Sequence, residues 1–413
     1  MFPFSNPFPV KKLTILIRPT PDDGWVGGAI YFRNLINSID LAASESGDEV
    51  EIVIVYEDRA HLPSVDRLLP EKLKRVFFSD YEDIELTPED RQKIQQLPQG
   101  IERRHYRHAV QYADLVKATG GDLIFPYFPN GAYRPPCSVL SWIPDLQHVG
   151  LPEFFSEEEI KTRDRKYQNA ATFSDAVILS SESAREDFTG RFGGGGARID
   201  ILRFYTLPDA AWYEPDFNAV RERFGIAEDY FMVCNQFWAH KNHLAVVEAL
   251  KLLKARGQEP MVVFTGGVSD HRRPGVIDGV LQSLCEAGLW SQVRILGQLS
   301  RLDQIQLLRG ARAIAQPSLF EGWSTVLEDC RTLGQDLIAS RLRVHLEQDI
   351  PGARYFDPHD PAELAAHLSD TMSVLRPYSA EREETSRRAA EGRARECGRT
   401  FLRLAGEFCG ERQ

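Results

Sequence analysis

The sequence predicts an α/β protein made of two Rossmann-like domains facing across a cleft. Three observations carry that prediction. Short apolar stretches alternate with stretches of helical period along most of the chain, the pattern of repeated βα units and parallel sheets covered on both faces. The alternation breaks once, at Leu207–Phe217, where prolines and clustered aromatics mark an interdomain linker. Late in the second run, Pro317–Cys330 (P-S-L-F-E-G-W-S-T-V-L-E-D-C) sets a polar turn between a strand and a helix. In an open parallel sheet such a junction lies at the carboxyl edge, where ligands bind.

Composition narrows the function classes. The chain has 413 residues and a formal net charge of −11, which argues against non-specific binding to nucleic acid or to an anionic membrane. Six cysteines (Cys137, Cys234, Cys285, Cys330, Cys397, Cys409) form no C-x-x-C pair, so reduced thiols in a cytosolic protein are expected rather than a disulfide or zinc framework. No apolar run approaches the ~20 residues of a membrane-spanning helix. The start, M-F-P-F-S-N-P-F-P-V-K-K, has too many prolines for a signal-peptide core and is expected to pack on the first domain.

In chain order, Leu13–Ile17 reads as a strand, Pro21–Gly24 as a turn, and Gly27-Gly28 opens an amphipathic helix over Ala29–Leu41. This is neither a G-x-G-x-x-G fingerprint nor a Walker loop. Glu49–Tyr56 is a second strand, Pro63–Pro98 is charged and proline-punctuated without a clear period, and Ile101–Lys117 is helical. Asp122–Phe128 and Ser138–Ile143 are buried strands, the second running into Pro144-Asp145-Leu146-Gln147-His148. Ser156 and Glu159 match a capping box for a charged helix reaching Thr172. Asp175–Ser180 and Ile199–Tyr205 are strands. The four glycines Gly193–Gly196 lack a following Lys-Ser/Thr and read as a flexible connection.

The second run gives strands at Tyr230–Phe237, Met261–Thr265, Val293–Leu296, Ala313–Gln316 and Asp336–Ala339. Helices fall at His243–Ala255, Val276–Ala287 and Leu302–Arg309, with a helical tail over Ala380–Cys409. After Ala313–Gln316, the residues Val326, Leu327, Cys330 and Leu333 recur at helical spacing. The start of that helix offers unpaired N–H groups and a partial positive charge suited to phosphate. A carboxylate beside it can accept hydrogen bonds from sugar hydroxyls. Both parts together suit a nucleotide-sugar. Thr325 and Glu328 also fit a capping box, which would account for Glu328 but not for Glu321 or for a Trp in the turn. In Asn235–His243, Asn242 is placed to cap a helix and Lys241 to set an ammonium beside a diphosphate. His240 and His243 lack a third ligand for a metal. Gly266 and Gly267 end a strand and let backbone approach a base or phosphate.

The stretch F-E-G-W-S-T-V-L-E-D resembles the paired-glutamate motif of the retaining GT-B glycosyltransferases of family 4, the group 1 type. The resemblance implies that Glu321 contacts the donor sugar and Glu328 the ribose hydroxyls. It also implies that backbone at Gly322, Ser324 and Thr325 holds the diphosphate. The commoner form has seven residues between its glutamates, and six intervene here. W-I-P-D-L-Q-H resembles the segment carrying the family's active-site histidine, which makes His148 a donor of a hydrogen bond to the sugar or leaving phosphate, with Asp145 orienting it. Gly27 and Gly28 match the glycine pair that approaches donor and acceptor, and Leu299 lies in a loop bordering the base. Lys241 matches the lysine of a basic pair. Its arginine falls on Gln236, with Arg294 and Arg18 as candidates to compensate.

The expected domains are then 1–207 (acceptor), 208–395 (donor), and 396–413, a terminal helix returning to the first domain. The expected function is transfer of a sugar from a nucleotide-sugar, a GDP- or UDP-sugar, to an acceptor hydroxyl with retention. The acceptor is a saccharide, a lipid-linked or another hydroxyl compound. The absence of Asp-x-Asp favours a metal-independent site, and no cofactor is expected beyond the co-substrate. The expected place is the cytoplasm, with peripheral contact at the inner membrane face left open. Alternatives are a non-catalytic nucleotide-sugar-binding or assembly subunit, or a GT-B epimerase or phosphorylase.

Overall fold

The computed structural model describes residues 12–18, 26–56, 75–78, 112–130, 134–214, 216–226, 229–270, 272–374 and 378–410. Expectations for the first residues, for Pro21–Gly24, for most of Pro63–Pro98 and for 101–111 fall outside this set.

Two parallel sheets form the core. The first has seven strands in the order β3-β2-β1-β4-β5-β6-β7. Its strands are β1 Leu13–Ile17, β2 Val50–Tyr56, β3 Arg75–Phe78, β4 Leu123–Phe125, β5 Ser138–Ile143, β6 Ala176–Leu179 and β7 Arg198–Ile201. The second has six, ordered β10-β9-β8-β11-β12-β13, with β8 Tyr230–Cys234, β9 Met261–Thr265, β10 Val293–Ile295, β11 Ala313–Gln316, β12 Leu337–Ser340 and β13 Arg354–Phe356. Every strand pair is parallel. Strands β1, β5, β8 and β11 are buried along their whole length, which is why they read as unbroken apolar or small-residue runs rather than alternations.

The strand order reverses beside β1 in one sheet and beside β8 in the other, so the carboxyl ends of β1, β4, β8 and β11 bracket the crevices where α/β sheets bind ligands. The charged helix Glu157–Phe173 starts with the expected capping box between Ser156 and Glu159. Several elements had no clear signal, β3 and the helix Arg343–Gln348 among them, and two more close the second domain. Strand β13 is three residues long, and the helix Pro361–Ser373 follows it. The expected strand at Ile199–Tyr205 leaves the sheet after Ile201; Leu202 and Phe204 instead plug the first core.

The chain crosses between the sheets twice. Residues 202–212 run from the first core to the second, where Trp212 is buried. Along this crossing Arg33 pairs with Asp209 at 2.7 Å, and the Asn34 amide oxygen accepts from Leu207 N at 3.3 Å. The return is the helix Ala380–Gly410, unbroken across the expected boundary at 395/396. Its first turns lie on the second domain, where Arg309 pairs with Glu383 at 2.7 Å. Its later turns pack Phe401 edge-on against Phe125 of β4. Gly398 is required there, since a Cβ would fall 1.9 Å from the Ser38 carbonyl oxygen. The four-glycine run is no phosphate loop: it follows the helix Glu182–Phe192, and a Cβ on Gly195 would lie 2.0 Å from the Ala171 carbonyl oxygen.

Candidate active site

An open cleft lies between the sheets. Gly27, Asp145, Gln236, Lys241, Gly266, Glu321, Gly322, Ser324 and Thr325 line it, from both domains. Gly28, His148, Gly267, Leu299 and Glu328 do not.

The centre of the second-domain wall is Glu321. Its Oε1 accepts from Lys241 Nζ at 2.6 Å, Ser318 Oγ at 2.7 Å and Gln316 Nε2 at 2.9 Å. Its Oε2 accepts from no described residue. Gln316 is itself fixed by a reciprocal amide pair with Asn235, at 2.9 and 3.2 Å, which joins the ends of β8 and β11 under the site. Burial pushes the Glu321 pKa up, but the Lys241 charge, with smaller contributions that include the Ser318 hydrogen bond, outweighs it and holds the carboxyl below its usual range. The group is therefore a fixed carboxylate with one oxygen held and one offered.

Beside it the helix Thr325–Leu333 begins, and no side chain caps it. The expected capping box is not made. Gln348 instead clasps the turn: its Oε1 accepts from Ser324 N at 3.0 Å, and its Nε2 donates to Ser324 O and to Glu328 Oε1, each at 3.0 Å. Thr325 and Val326, the next two residues, line the cleft, and the N–H groups of a first helical turn have no intrahelical partner. An uncapped, cleft-facing helix start is an anion site in physical terms.

Glu328 faces the other way. It is fully buried, 3.2 Å from the Arg331 Nε, and burial raises its pKa to about 6. Its neighbour Asp329 does line the cleft. There Oδ1 accepts from Arg301 Nη2 at 2.6 Å and Thr206 Oγ1 at 3.0 Å. Counting seven intervening residues from Glu321 reaches Asp329, so the commoner spacing already pointed to it. Because the folded pKa of Glu328 lies above the ordinary 4.5, this group favours folding fully below pH 4.5 and loses that contribution as pH rises through about 6. Glu328→Gln should therefore be more stable than the parent at pH 8 by roughly 2 kcal/mol, with the difference vanishing below pH 4.5, read from denaturant midpoints at each pH.

Trp323 is an interdomain peg. Its ring joins the first-domain core and its Nε1 donates to Phe204 O at 3.0 Å. At Gly322 a Cβ would lie 1.9 Å from the Pro144 carbonyl oxygen, so this glycine permits the two cleft walls to touch. Gly266, at φ +128°, meets Asn235 in the same way, with 2.3 Å to its carbonyl oxygen.

His148 sits off the cleft, in the short helix Gln147–Gly150 with its side chain wholly covered. Its Nε2 lies 3.2 Å from Asp164, and Tyr167 and Phe155 pack on the ring. Burial, then Arg163, lowers its pKa, so the ring is neutral at pH 7. Asp164, not Asp145, orients it; the Asp145 carboxylate accepts from Gln147 N at 3.1 Å. The helical turn directs Gln147 to the cleft in place of His148. Asn242 adopts the left-handed conformation and bonds to the carbonyls of Pro317 and Pro358 rather than capping its helix. His243 stacks on Phe237 at 4.2 Å, and burial lowers its pKa to about 3. Gln236 is at the cleft, whereas Arg294 bonds to the Val293 carbonyl and is not; the cation that sequence reasoning missed there is Arg301. Ser300 caps the helix that carries it, a signal visible in the sequence.

Residues 216–389 match the family model described as glycosyl transferases group 1. Over this stretch the chain is similar to the group 1 glycosyl transferases. The matched stretch holds β8 to β13 and with them Lys241, Glu321 and Asp329. Among curated relatives, the chain is 25% identical over 219 residues to the D-inositol 3-phosphate glycosyltransferase of Mycolicibacterium vanbaalenii, covering 50% of this chain and 48% of that one. It is 21% identical over 235 residues to the O-antigen chain mannosyltransferase B of Escherichia coli, 55% of this chain and 59% of that one. The chain thus spans about half the length of the curated relatives it matches. Over nearly its whole length it shares the GT-B fold of solved structures. A glycosyltransferase from Rickettsia africae has a TM-score of 0.65 at 14% identity, covering 96% of this chain and 98% of that one. Anabaena HepE in complex with UDP-glucose has a TM-score of 0.62 at 16% identity, with 97% and 100% covered. Among the described residues no helix is long and apolar enough to cross a membrane.

Proposed function

We propose that the protein transfers a glycosyl unit from a nucleotide-sugar to an acceptor hydroxyl, with retention of configuration and without a metal ion. The observation that carries this reading is the Lys241–Glu321 pair beside the uncapped start of Thr325–Leu333, on one wall of an interdomain cleft. Lysine has three donors, so Lys241 can keep Glu321 and still reach a diphosphate. The Thr325 and Val326 N–H groups hold the same diphosphate, and the free Oε2 of Glu321 accepts from a sugar hydroxyl. Asp329, steadied by Arg301, takes the ribose hydroxyls in place of Glu328. The acceptor hydroxyl attacks the anomeric carbon on the face the leaving phosphate vacates. The C–O bond to phosphate breaks, and the phosphate takes the hydroxyl proton. No side chain serves as nucleophile. His148 holds the turn that presents Gln147.

The test is release of free nucleotide from a panel of UDP-, GDP- and ADP-sugars, with and without acceptors and with EDTA, and the anomeric configuration of the product by NMR. An inverted product or loss of activity in EDTA would overturn the corresponding part. Binding without turnover across the panel would favour a non-catalytic subunit, the reading to which Gln236 in place of a base lends support. On the donor side, Asp329→Asn is expected to raise the donor KM about tenfold, the scale of one hydrogen bond to a charged group, while Glu328→Gln leaves it unchanged. The reverse pattern would return the ribose to Glu328.

A further inference from the structure

The helix Arg343–Gln348 is six residues long, yet it meets both domains. Helical phase divides its faces. Arg343, Val344 and Glu347 meet the first domain: Val344 enters that core, and Arg343 pairs with Glu186 at 2.7 Å and Asp187 at 2.6 Å. His345 and Gln348, one turn apart, meet the donor wall instead. Gln348 clasps the turn at Ser324. His345 is buried, with Nδ1 2.9 Å from the Ser340 carbonyl oxygen, and lies within range of the Glu321 charge.

Glu347 makes the firmest of the first-domain contacts. Its carboxylate accepts from Glu182 N at 2.8 Å, from Ser183 N at 3.2 Å and from the Ser183 hydroxyl at 3.2 Å. Those amides open the helix Glu182–Phe192, whose own cap, Ser181, takes the Ala184 N–H at 3.0 Å. The first N–H groups of a helix have no partner within it and carry partial positive charge, so a carboxylate placed there answers both. Arg203, just past β7, donates to the same carboxylate at 2.7 and 3.1 Å. The Glu347 side chain is 14% exposed against 61% for Arg343, so its bonds are the less screened of the two anchors. The second domain thus supplies part of the cap of a first-domain helix, and the next residue along the chain holds the helix start at Thr325. Among the described residues that line the cleft, neither Glu347 nor Gln348 appears.

We propose that Glu347 is a positioning residue for the donor diphosphate. Held by the start of Glu182–Phe192, it fixes Gln348, and Gln348 fixes the turn that presents Thr325 and Val326. The anion site of one domain is then set from the other. The inference rests on the diphosphate reading of that turn. By linkage the effect runs both ways, so a bound diphosphate tightens the Glu347 clasp.

The experiment titrates the full chain calorimetrically with UDP, GDP and ADP, and uses whichever binds the parent most tightly. Glu347→Ala should raise its Kd about fivefold or more, the scale of a residue that acts through a neighbour. Arg203→Met, which loosens the same carboxylate from the first-domain side, should move the Kd in the same direction. Arg343→Ala, which breaks only exposed pairs, should change it by less than about twofold. Gln348→Ala should raise the Kd, and adding Glu347→Ala should raise it no further, because the two act in series. Hydrogen exchange on the parent gives a readout that a merely structural contact would not move: the Glu182 and Ser183 amides should exchange more slowly with the nucleotide bound. This measurement decides the matter where a variant does not fold. A parent-like Kd in Glu347→Ala, an equal loss in Arg343→Ala, losses that multiply in the double variant, or exchange at those amides that the nucleotide leaves unchanged overturns the inference. If none of the three nucleotides binds the parent, the diphosphate reading itself falls, and the inference with it.

Discussion

Glu321→Gln is expected to lower kcat for transfer by two to three orders of magnitude, roughly the loss seen when one well-placed transition-state contact is removed. The amide keeps the shape, and its oxygen can still accept from Ser318 and Gln316, which donate at 2.7 and 2.9 Å. It loses the charge that pairs with Lys241 and the second carboxylate oxygen offered to the sugar. Because the fold loses little, the unfolding midpoint should move far less than the rate. Turnover within a factor of two of the parent, in a variant that unfolds at the same denaturant concentration, would remove Glu321 from the sugar site.

Lys241→Met should come next in size, lowering kcat by roughly a hundredfold while donor affinity falls much less. Negative charge grows on the diphosphate as the sugar leaves, so a fixed ammonium favours the transition state over the bound donor. The substitution has a second effect that a bystander lysine would not show. Glu321 is buried, and Lys241 is the chief influence holding its carboxyl below the usual range. Without that cation burial wins, the carboxyl pKa rises, and the rate profile gains an acidic limb as pH falls toward it. In the parent the carboxyl is ionised well below neutrality, so activity should be flat across that range. A fall confined to donor affinity, with an unchanged pH profile, would contradict both points.

The sequence made the fold legible because most strands are buried on both faces. Leu13–Ile17, Ser138–Ile143, Met261–Thr265 and Ala313–Gln316 stand out as bounded runs and occur with those limits. Strand β13 does not stand out, since three residues between a turn and Asp357 carry no period. The site was legible to the level of the turn. The helix start at Thr325 and the facing of Lys241 and Glu321 follow from strand, loop and helix in series. Which of Glu328 and Asp329 faces the cleft did not, because adjacent helical residues point about 100° apart. The choice belongs to the phase of the helix, fixed when Leu327 and Cys330 enter the second core. His148 lies off the cleft for a related reason: the loop that was expected to present it coils into one turn, which sets Gln147 rather than His148 at the cleft.

The two crossings between the sheets have a mechanical consequence. A plate fastened to another at two separate points can only swing about the line through them, as a door does on its pins. Here the pins are residues 202–212 and the middle of Ala380–Gly410. Trp323 and Thr206 tie the first pin to the donor side. Arg272 reaching Gln147 at 3.0 Å, and Arg273 reaching the Glu153 carbonyl, join the rims instead. Those rim contacts are the ones that would part first to admit a donor and re-form behind it.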